Sequence, residues 1–293
     1  MQVDYAQLTA LSAILRTGSF DAAAAALGVT QSAISQRLKS LEERIGTPLV
    51  LRGQPCTGTK TGRRLAAHLD QVGLLEQGLA RELTALTPRA ARLRVAVNAD
   101  SLATWFLPAA AQVPDLLFDL VVDDQDFSAD WLRRGEVSAA VTAHETPVAG
   151  CDSHALGAIR YLATASPAFI ARHFVDGVTA DTIARAPMLR FDAKDNLQQN
   201  WMMAHLGAAP APPSHRLPSS QGFIEASLLG MGWGMNPEIL VKDHIAAGRL
   251  VPLLGDAYHD VALYWQASRI VSGALKPLTR SVRAATKLAL ISP

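Results

Sequence analysis

Residues 20–38 constrain the fold of this chain more than any other segment. The alanine-rich stretch Asp21–Leu27 predicts a short helix that ends at Gly28, and Thr30 is placed to cap a second helix. Small alanines let two helices approach closely, and Val29 is placed to fill the space between them. The segment therefore predicts a helix–turn–helix unit.

The second helix of this unit has a polar side. Its apolar positions Ile34, Leu38, Leu41 and Ile45 recur at helical spacing and predict a buried face. The opposite side offers amides and hydroxyls that can read base edges in the major groove, with basic residues that can hold phosphates. A helical protein with no nucleic-acid role is the alternative, but it does not explain these side chains together. The predicted base contacts are Gln31, Ser32, Ser35 and Gln36, and the predicted phosphate contacts are Arg37 and Lys39.

Charge is distributed unevenly between the two ends of the chain. Residues 1–64 carry eight basic and four acidic side chains, whereas the remainder carries 19 basic and 22 acidic ones. A basic head on an acidic body suggests that the head contacts a polyanion and that the body has another task. Chance asymmetry is the alternative interpretation of the same counts.

Composition excludes several classes of protein. Among the 293 residues, 49% are hydrophobic and 18% are charged, so disorder along the whole chain is excluded. The two cysteines, Cys56 and Cys151, form no CxxC motif, which argues against a disulfide scaffold or a structural zinc site. Neither a membrane-length apolar run nor a signal-peptide pattern is found, so we expect a cytoplasmic protein without a membrane partner.

The chain divides into three predicted parts: residues 1–61, 62–88 and 89–293. The first adds a helix before the helix–turn–helix unit and a hairpin-like stretch after it, over Leu49–Thr61. The second is one long helix with a narrow apolar stripe, which favours a dimer seam over packing on its own domain. The stripe consists of Leu65, Leu69, Val72, Leu75, Leu79, Leu83 and Leu86, and the residues assigned to dimerisation are Leu65, Leu69, Val72 and Leu79.

Strand-like and helical runs alternate in the third part. This alternation predicts an α/β domain with largely parallel sheets, as one large domain or as two lobes. The predicted strands are Leu93–Val97, Phe118–Val122, Ala139–Val141, Met188–Phe191 and Leu263–Trp265. The predicted helices are Ala103–Ala111, Ala129–Arg134, Phe223–Leu229 and Leu275–Leu290.

Residues 23–42 and 46–52 resemble the LysR-type transcriptional regulators. Residues 95–105, 132–136 and 263–265 resemble the branch that controls basic amino-acid export, the ArgP and LysG regulators. The resemblance implies a winged helix–turn–helix, a dimerising linker helix and a periplasmic-binding-protein-like effector domain with two α/β lobes. It places the crossings between lobes near Leu162–Thr164 and Trp265–Ser268, so that lobe 1 covers about 89–162 and 266–293 and lobe 2 about 163–265.

The wing departs from the family pattern. Val50 stands where family members often have Phe, and the segment from Arg52 to Cys56 is less basic than usual. Arg52 is the predicted minor-groove contact.

The resemblance also implies an effector with an α-carboxylate, an α-ammonium and a cationic side chain: lysine or arginine, with histidine as a further candidate. Two predicted helix starts could offer N–H groups to the carboxylate. Acidic residues that follow two strands could pair with the cations, although each could also be a solvated loop charge or a helix cap. The predicted effector contacts are Asn98, Asp100, Ser101, Asp123, Asp124, Asp195, Ser219, Ser220 and Asn236. His144 and Glu145 could reach the same crevice or belong to an ordinary surface loop.

The sequence thus predicts a homo-oligomeric, cytoplasmic regulator that binds double-stranded promoter DNA, senses a basic amino acid and works with RNA polymerase. Its target would be an amino-acid exporter gene. Neither a cofactor nor a metal is expected, and no motif for nucleophilic or metal catalysis supports an enzyme. The alternative is an effector-independent architectural or replication-initiation control protein.

Overall fold

A computed structural model describes residues 4–83 and 90–292. The N-terminal domain packs three helices around one core, in which Leu8, Leu11 and Ile34 are fully buried. Thr30 caps the third helix, since its hydroxyl accepts the N–H of Ala33 at 3.2 Å. The elements are α1 (Tyr5–Thr17), α2 (Phe20–Leu27), α3 (Gln31–Ile45), and the antiparallel wing strands β1 (Val50–Leu51) and β2 (Thr57–Gly58).

The turn of the helix–turn–helix depends on Gly28. Its φ of 63° lies in the left-handed region, where a side chain is disfavoured. Its N–H reaches back to the last carbonyls of α2, so the chain can reverse and start α3 within two residues. The predicted helix–turn–helix is confirmed together with its hairpin.

The long helix α4 (Lys60–Glu82) packs on both domains. Its first turn lies against the wing so closely that a Cβ on Gly62 would come within 2.0 Å of the Leu49 carbonyl oxygen. Further along, Leu74 is fully buried in the core of the second domain, and the Gln77 amide donates to the Asp115 carbonyl at 2.6 Å. Over these parts of the helix, the alternative of packing on its own chain is therefore found.

The apolar stripe of α4 divides into two portions. Leu65 and Leu69 pack against the core of the N-terminal domain, and Leu65, Leu69 and Val72 are all half-buried. Leu75, Leu79 and Leu83 are 46%, 52% and 46% exposed. The exposed part of the stripe therefore begins at Leu75, ten residues after Leu65. Leu86 and the predicted linker at residues 87–89 lie outside the described residues.

The second domain is built on one seven-stranded sheet and a small separate pair of strands. Its strands are β3 (Ala91–Val97), β4 (Leu116–Val122), β5 (Ala139–Thr142), β6 (Cys151–Ala165), β7 (Met188–Arg190), β8 (Ser214–Arg216), β9 (Gly234–Pro237), β10 (Val251–Pro252) and β11 (Tyr258–Ser268). Its helices are α5 (Ala99–Ser101), a π-helical turn (Leu102–Phe106), α6 (Leu107–Ala110), α7 (Ser128–Arg133), α8 (Pro167–His173), α9 (Ala180–Arg185), α10 (Leu197–Leu206), α11 (Ser220–Leu228), α12 (Glu238–Ala246), a 3₁₀ turn (Arg269–Val271) and α13 (Ser272–Ala289).

The large sheet runs in the order β10-β6-β11-β5-β3-β4, with β9 also paired to β6. Among the described residues of this sheet, β3 pairs in parallel with β4 and with β5, whereas every pairing of β6 and β11 is antiparallel. The predicted parallel pairing is thus found for β3, β4 and β5 in lobe 1 and for β7 with β8 in lobe 2, whereas the long strands β6 and β11 depart from it. The two-lobed α/β class itself is confirmed.

Strands β6 and β11 run side by side through both lobes. Residues 264–267 of β11 pair with β5 in lobe 1, and residues 161–164 of β6 pair with β9 in lobe 2. The crossings therefore lie upstream of Leu162 and of Trp265, a few residues earlier in each strand than predicted. Within the two described stretches, no helix is both long and apolar enough to cross a bilayer.

Candidate functional site

The polar side of α3 is open to solvent at the N-terminal end of that helix. Gln31, Ser32 and Gln36 are exposed, while Ser35 is half-buried. The opposite side, with Ile34, Leu38 and Leu41, is buried in the domain core. Because the apolar side of α3 packs into the core, the predicted base-reading residues on its opposite side face the solvent.

Basic side chains flank this reading face. Lys39 is exposed and pairs with Glu43 one turn along at 3.8 Å, while Arg37 is half-buried. Arg52 is exposed at the wing, with its guanidinium carbon 5.5 Å from the centre of the Phe20 ring. The structure thus places the predicted phosphate and minor-groove contacts on the same domain as the reading face.

Gln36→Ala is expected to relax sequence preference and to weaken specific binding by about 1–3 kcal/mol, because an amide that reads a base is lost. Lys39→Ala is expected to weaken specific and non-specific binding alike and to reduce the salt slope by about 0.9. Binding isotherms over a range of salt concentrations measure both. An unchanged footprint and affinity for Gln36→Ala would show that another face reads the bases.

A cleft lies between the two lobes, at the carboxyl ends of β3, β4 and β7, where open α/β sheets hold ligands. Its cavity has a volume of about 50 Å³. Seven of the nine predicted effector contacts line it: Asn98, Asp100, Asp123, Asp124, Asp195, Ser220 and Asn236. The lining residues that were not predicted are Ala99, Gln125, Phe191, Leu197, Phe223, Met235 and Pro237.

Ser101 and Ser219, the other two predicted contacts, do not line the cleft. Ser101 is fully buried within the helix that follows β3. Ser219 is exposed, and its hydroxyl accepts the N–H of Gly222 at 3.1 Å, so it caps α11. His144 and Glu145 also lie outside the cleft, in a separate surface cavity.

Asp100 connects the lobes at the bottom of the cleft. Its carboxylate accepts the Ser220 hydroxyl of lobe 2 at 2.6 Å and the Tyr161 hydroxyl of β6 at 2.7 Å. Burial raises the pKa of Asp100 against the effect of these two donors. Tyr161 is a site residue that the sequence did not indicate, because β6 was not predicted as a strand.

Asp123 and Asp195 are already held by donors of the protein. The Asp123 carboxylate accepts the Trp131 indole N–H at 2.9 Å and the Lys194 ammonium at 3.2 Å. Burial alone would raise the pKa of Asp123, but these donors outweigh it and hold the pKa below its usual value. Asp195 accepts the backbone N–H groups of Phe191 and Leu197 and the Gln198 amide at 2.8–3.1 Å.

Asp124 is different, because its carboxylate has a single hydrogen-bond donor among the described residues. Its carboxylate accepts only the backbone N–H of Asp126, at 2.8 Å. Burial raises its pKa to about 6, helped by the nearby carboxylates of Asp126, Asp195 and Asp192. A carboxylate in these surroundings gains strongly from an added positive charge.

Two buried amides add further acceptors to the cleft. Asn98 in lobe 1 is 3% exposed and Asn236 in lobe 2 is fully buried. The Asn236 amide nitrogen donates to Thr164 and Ser227, yet the side-chain oxygens of both asparagines have no described partner. The cleft lining carries four carboxylates and, among the described residues, no lysine, arginine or histidine. A ligand that brings N–H donors and positive charge satisfies this arrangement.

A winged helix–turn–helix joined by a long helix to a two-lobed domain with a polar cleft defines a DNA-binding protein built to hold a small molecule. Residues 5–63 match the family described as "Bacterial regulatory helix-turn-helix protein, lysR family", and residues 87–287 match "LysR substrate binding domain". The chain belongs to the LysR family of transcriptional regulators and is not an enzyme.

Relatives within the family support the same branch that the motifs indicated. The chain is 47% identical over 267 residues to the "HTH-type transcriptional regulator ArgP" of Pseudomonas fluorescens, covering 89% of this chain and 90% of the relative. It matches the crystal structure of ArgP from Mycobacterium tuberculosis with a TM-score of 0.80 at 42% identity over the whole of both chains. It also matches full-length LysG from Corynebacterium glutamicum, a structure with bound effector Arg, with a TM-score of 0.68 at 35% identity, covering 99% and 100% of the two chains.

Proposed function

We propose that this regulator senses L-lysine or L-arginine, with L-histidine as a further candidate, and controls transcription of an amino-acid exporter gene. The observation that carries the proposal is the cleft lining, with four carboxylates, two unpartnered amide oxygens and no basic side chain among its described residues. A basic amino acid brings two cationic groups to these acceptors. The arginine bound in the related LysG structure has this chemistry.

Asp124 is the proposed partner of one ammonium or guanidinium group. Its carboxylate is half-buried without a described cation, whereas the acceptors of Asp195 are used within its own loop. Asp195 therefore contributes mainly its negative charge, which attracts a cation in the cleft, and not a hydrogen bond to that cation. The carboxylate of the effector is assigned to the N–H groups at the start of the helix after β3, where Ala99 and Asp100 line the cleft.

The proposal includes self-association through α4. Leu75, Leu79 and Leu83 form an exposed apolar row along that helix, and a second copy of the same helix would cover it. The dimer would place two helix–turn–helix units on double-stranded promoter DNA in the cytoplasm, where contact with RNA polymerase completes the proposed role.

Calorimetric titration of the full chain with L-lysine, L-arginine, L-histidine and norleucine tests the effector. A cationic amino acid is expected to bind far more tightly than norleucine, which has a similar length but no side-chain charge, because the cleft offers acceptors and negative charge. Equal binding of lysine and norleucine would contradict the basic amino-acid proposal. The absence of binding by any amino acid would instead support an effector-independent DNA-binding protein.

A further inference from the structure

A series of side-chain contacts leads from the cleft through lobe 1. It starts at Asp123, whose carboxylate accepts the indole N–H of Trp131 in α7 at 2.9 Å. The guanidinium of Arg134 lies over the Trp131 ring, 4.5 Å from its centre. Arg134 then donates from Nε to Oε1 of Glu136 at 3.2 Å. Asp123, which lines the cleft, is thereby connected to Glu136 through Trp131 and Arg134.

Glu136 continues the series into the DNA-binding domain. Its other oxygen, Oε2, accepts Nε–H of Arg63 in α4 at 3.0 Å. Arg63 in turn donates from Nη1 to the carbonyl of Gly58, in wing strand β2, at 2.6 Å. The neighbouring Arg64 donates to the Gly135 carbonyl at 2.9 Å. Glu136 is therefore shared between an arginine of the effector domain and an arginine that holds the wing.

Burial makes this junction sensitive to small displacements. The Glu136 side chain is 2% exposed, so its charge depends on Arg63 and Arg134 for compensation. Charge-assisted hydrogen bonds of this kind require close and well-oriented partners. A shift of lobe 1 at Glu136 therefore has to be followed by Arg63, or the buried carboxylate loses a partner.

The cleft end of the series crosses between the lobes. The Lys194 ammonium comes from lobe 2, pairs with Asp123 of lobe 1 at 3.2 Å and lies 4.6 Å from the centre of the Phe127 ring. Opening or closing of the cleft changes this pairing and thus the environment of Asp123. The two ends of the series are a contact between lobes and a contact with the wing.

A second ion pair between α4 and lobe 1 provides a contrast. Arg81 and Asp115 are 3.2 Å apart, but the Asp115 side chain is 58% exposed. Arg81 lies 18 residues beyond Arg63, about 27 Å along the helix, far from the wing. Asp115 precedes β4 and does not line the cleft. This pair holds the two domains together without joining cleft to wing.

We propose that Glu136 is the positioning residue that couples the effector cleft to the DNA-binding wing, through Trp131 and Arg134 on one side and Arg63 on the other. The coupling passes through the packed and hydrogen-bonded side chains between Asp123 and Arg63, which a change at the effector cleft or at the wing can displace. This inference rests on the proposed effector function, since it needs a ligand whose binding changes the lobe contacts.

The test uses full-length wild type, Glu136→Gln, Trp131→Phe and the control Asp115→Asn. L-arginine is the probe, and the DNA is a duplex selected by the wild-type protein from a random-sequence pool. Calorimetry gives the arginine affinity, and fluorescence anisotropy gives the DNA affinity with and without saturating arginine. The ratio of the two DNA affinities, about five- to 150-fold where sites are coupled, measures coupling.

Glu136→Gln and Trp131→Phe are expected to bring this ratio towards one while arginine still binds. Gln keeps the size of Glu but removes its charge, and Phe keeps the aromatic ring but removes the donor to Asp123. Asp115→Asn is expected to keep the wild-type ratio. Because both substitutions interrupt one route, the double variant is expected to lose no more coupling than Glu136→Gln alone.

Three outcomes would overturn the inference. The first is that Glu136→Gln and Trp131→Phe both keep the wild-type ratio while binding arginine, and the second is that Asp115→Asn loses as much coupling as Glu136→Gln. The third is that the losses of coupling caused by Glu136→Gln and Trp131→Phe add up in the double variant, which would place Glu136 and Trp131 on separate routes. Failure of the wild type itself to bind L-arginine or L-lysine would remove the proposed function, and this inference with it.

Discussion

Asp124→Asn is expected to weaken lysine or arginine binding by about 30-fold or more, while DNA affinity without effector stays near that of the wild type. The substitution keeps the size of the side chain but removes the cleft carboxylate that, among the described residues, accepts only one hydrogen bond, from the backbone N–H of Asp126. A ligand cation left without its counter-charge in a narrow cleft loses about 2–5 kcal/mol. Calorimetry and DNA-binding isotherms on the same preparations measure the two effects.

Asp126→Asn is the matched control for this variant. Asp126 lies two residues away in the same loop, but its side chain is exposed, and the hydrogen bond that it donates to Asp124 comes from its backbone N–H, which the substitution keeps. The control removes the same formal charge and is expected to bind the effector close to normally. Normal lysine binding by Asp124→Asn would show that the cation partner has been assigned to the wrong residue.

The same carboxylate predicts the pH dependence of effector binding. In the free protein the pKa of Asp124 is about 6, and a bound cation favours the ionised form and so lowers this pKa. The effector affinity is therefore highest above about pH 6. Below pH 6 the affinity falls by up to about tenfold per pH unit, until the pH reaches the lower pKa that Asp124 has in the complex. Asp124→Asn is expected to lack this part of the pH profile.

Leu79→Glu is expected to convert the oligomer into monomers that no longer bind an operator with two half-sites. Leu79 is 52% exposed and belongs to no buried cluster, so the fold of the single chain should survive the substitution. In a dimer covered by a second copy of α4, the new carboxylate would be buried without a counter-charge, at a cost of several kcal/mol. Sedimentation velocity measures the result directly.

Leu288→Glu is the control for a charge placed on an exposed leucine. Leu288 lies on α13 and is 92% exposed, away from the row on α4. This variant is expected to keep the oligomeric state of the wild type. An intact oligomer for Leu79→Glu would mean that the exposed row on α4 is not the seam.

The central strands of the second domain show where sequence patterns failed. Strand β6 spans Cys151–Ala165, yet its apolar residues do not alternate, because its middle is covered on both faces. Only residues 263–265 of its partner β11 were predicted as a strand. Without these two strands, the crossing points were displaced by a few residues and Tyr161 was not recognised as part of the site.

The sequence by itself determined the DNA-binding head, since the signals there are local. Helix caps, Gly28 and the spacing of the apolar residues of α3 act within a few residues of one another. It also placed acidic residues after β4 and β7, at the sheet edge where the cleft forms.

Only the tertiary structure decided which of those acids is free to bind a cation. Asp123 is held by Trp131 and by Lys194 from the other lobe, and Asp195 is held within its own loop, whereas Asp124 has one backbone donor. The physical reason is that the environment of a carboxylate depends on donors and burial supplied by segments distant in sequence. The connection from cleft to wing through Glu136 and Arg63, 73 positions apart in the chain, has the same origin.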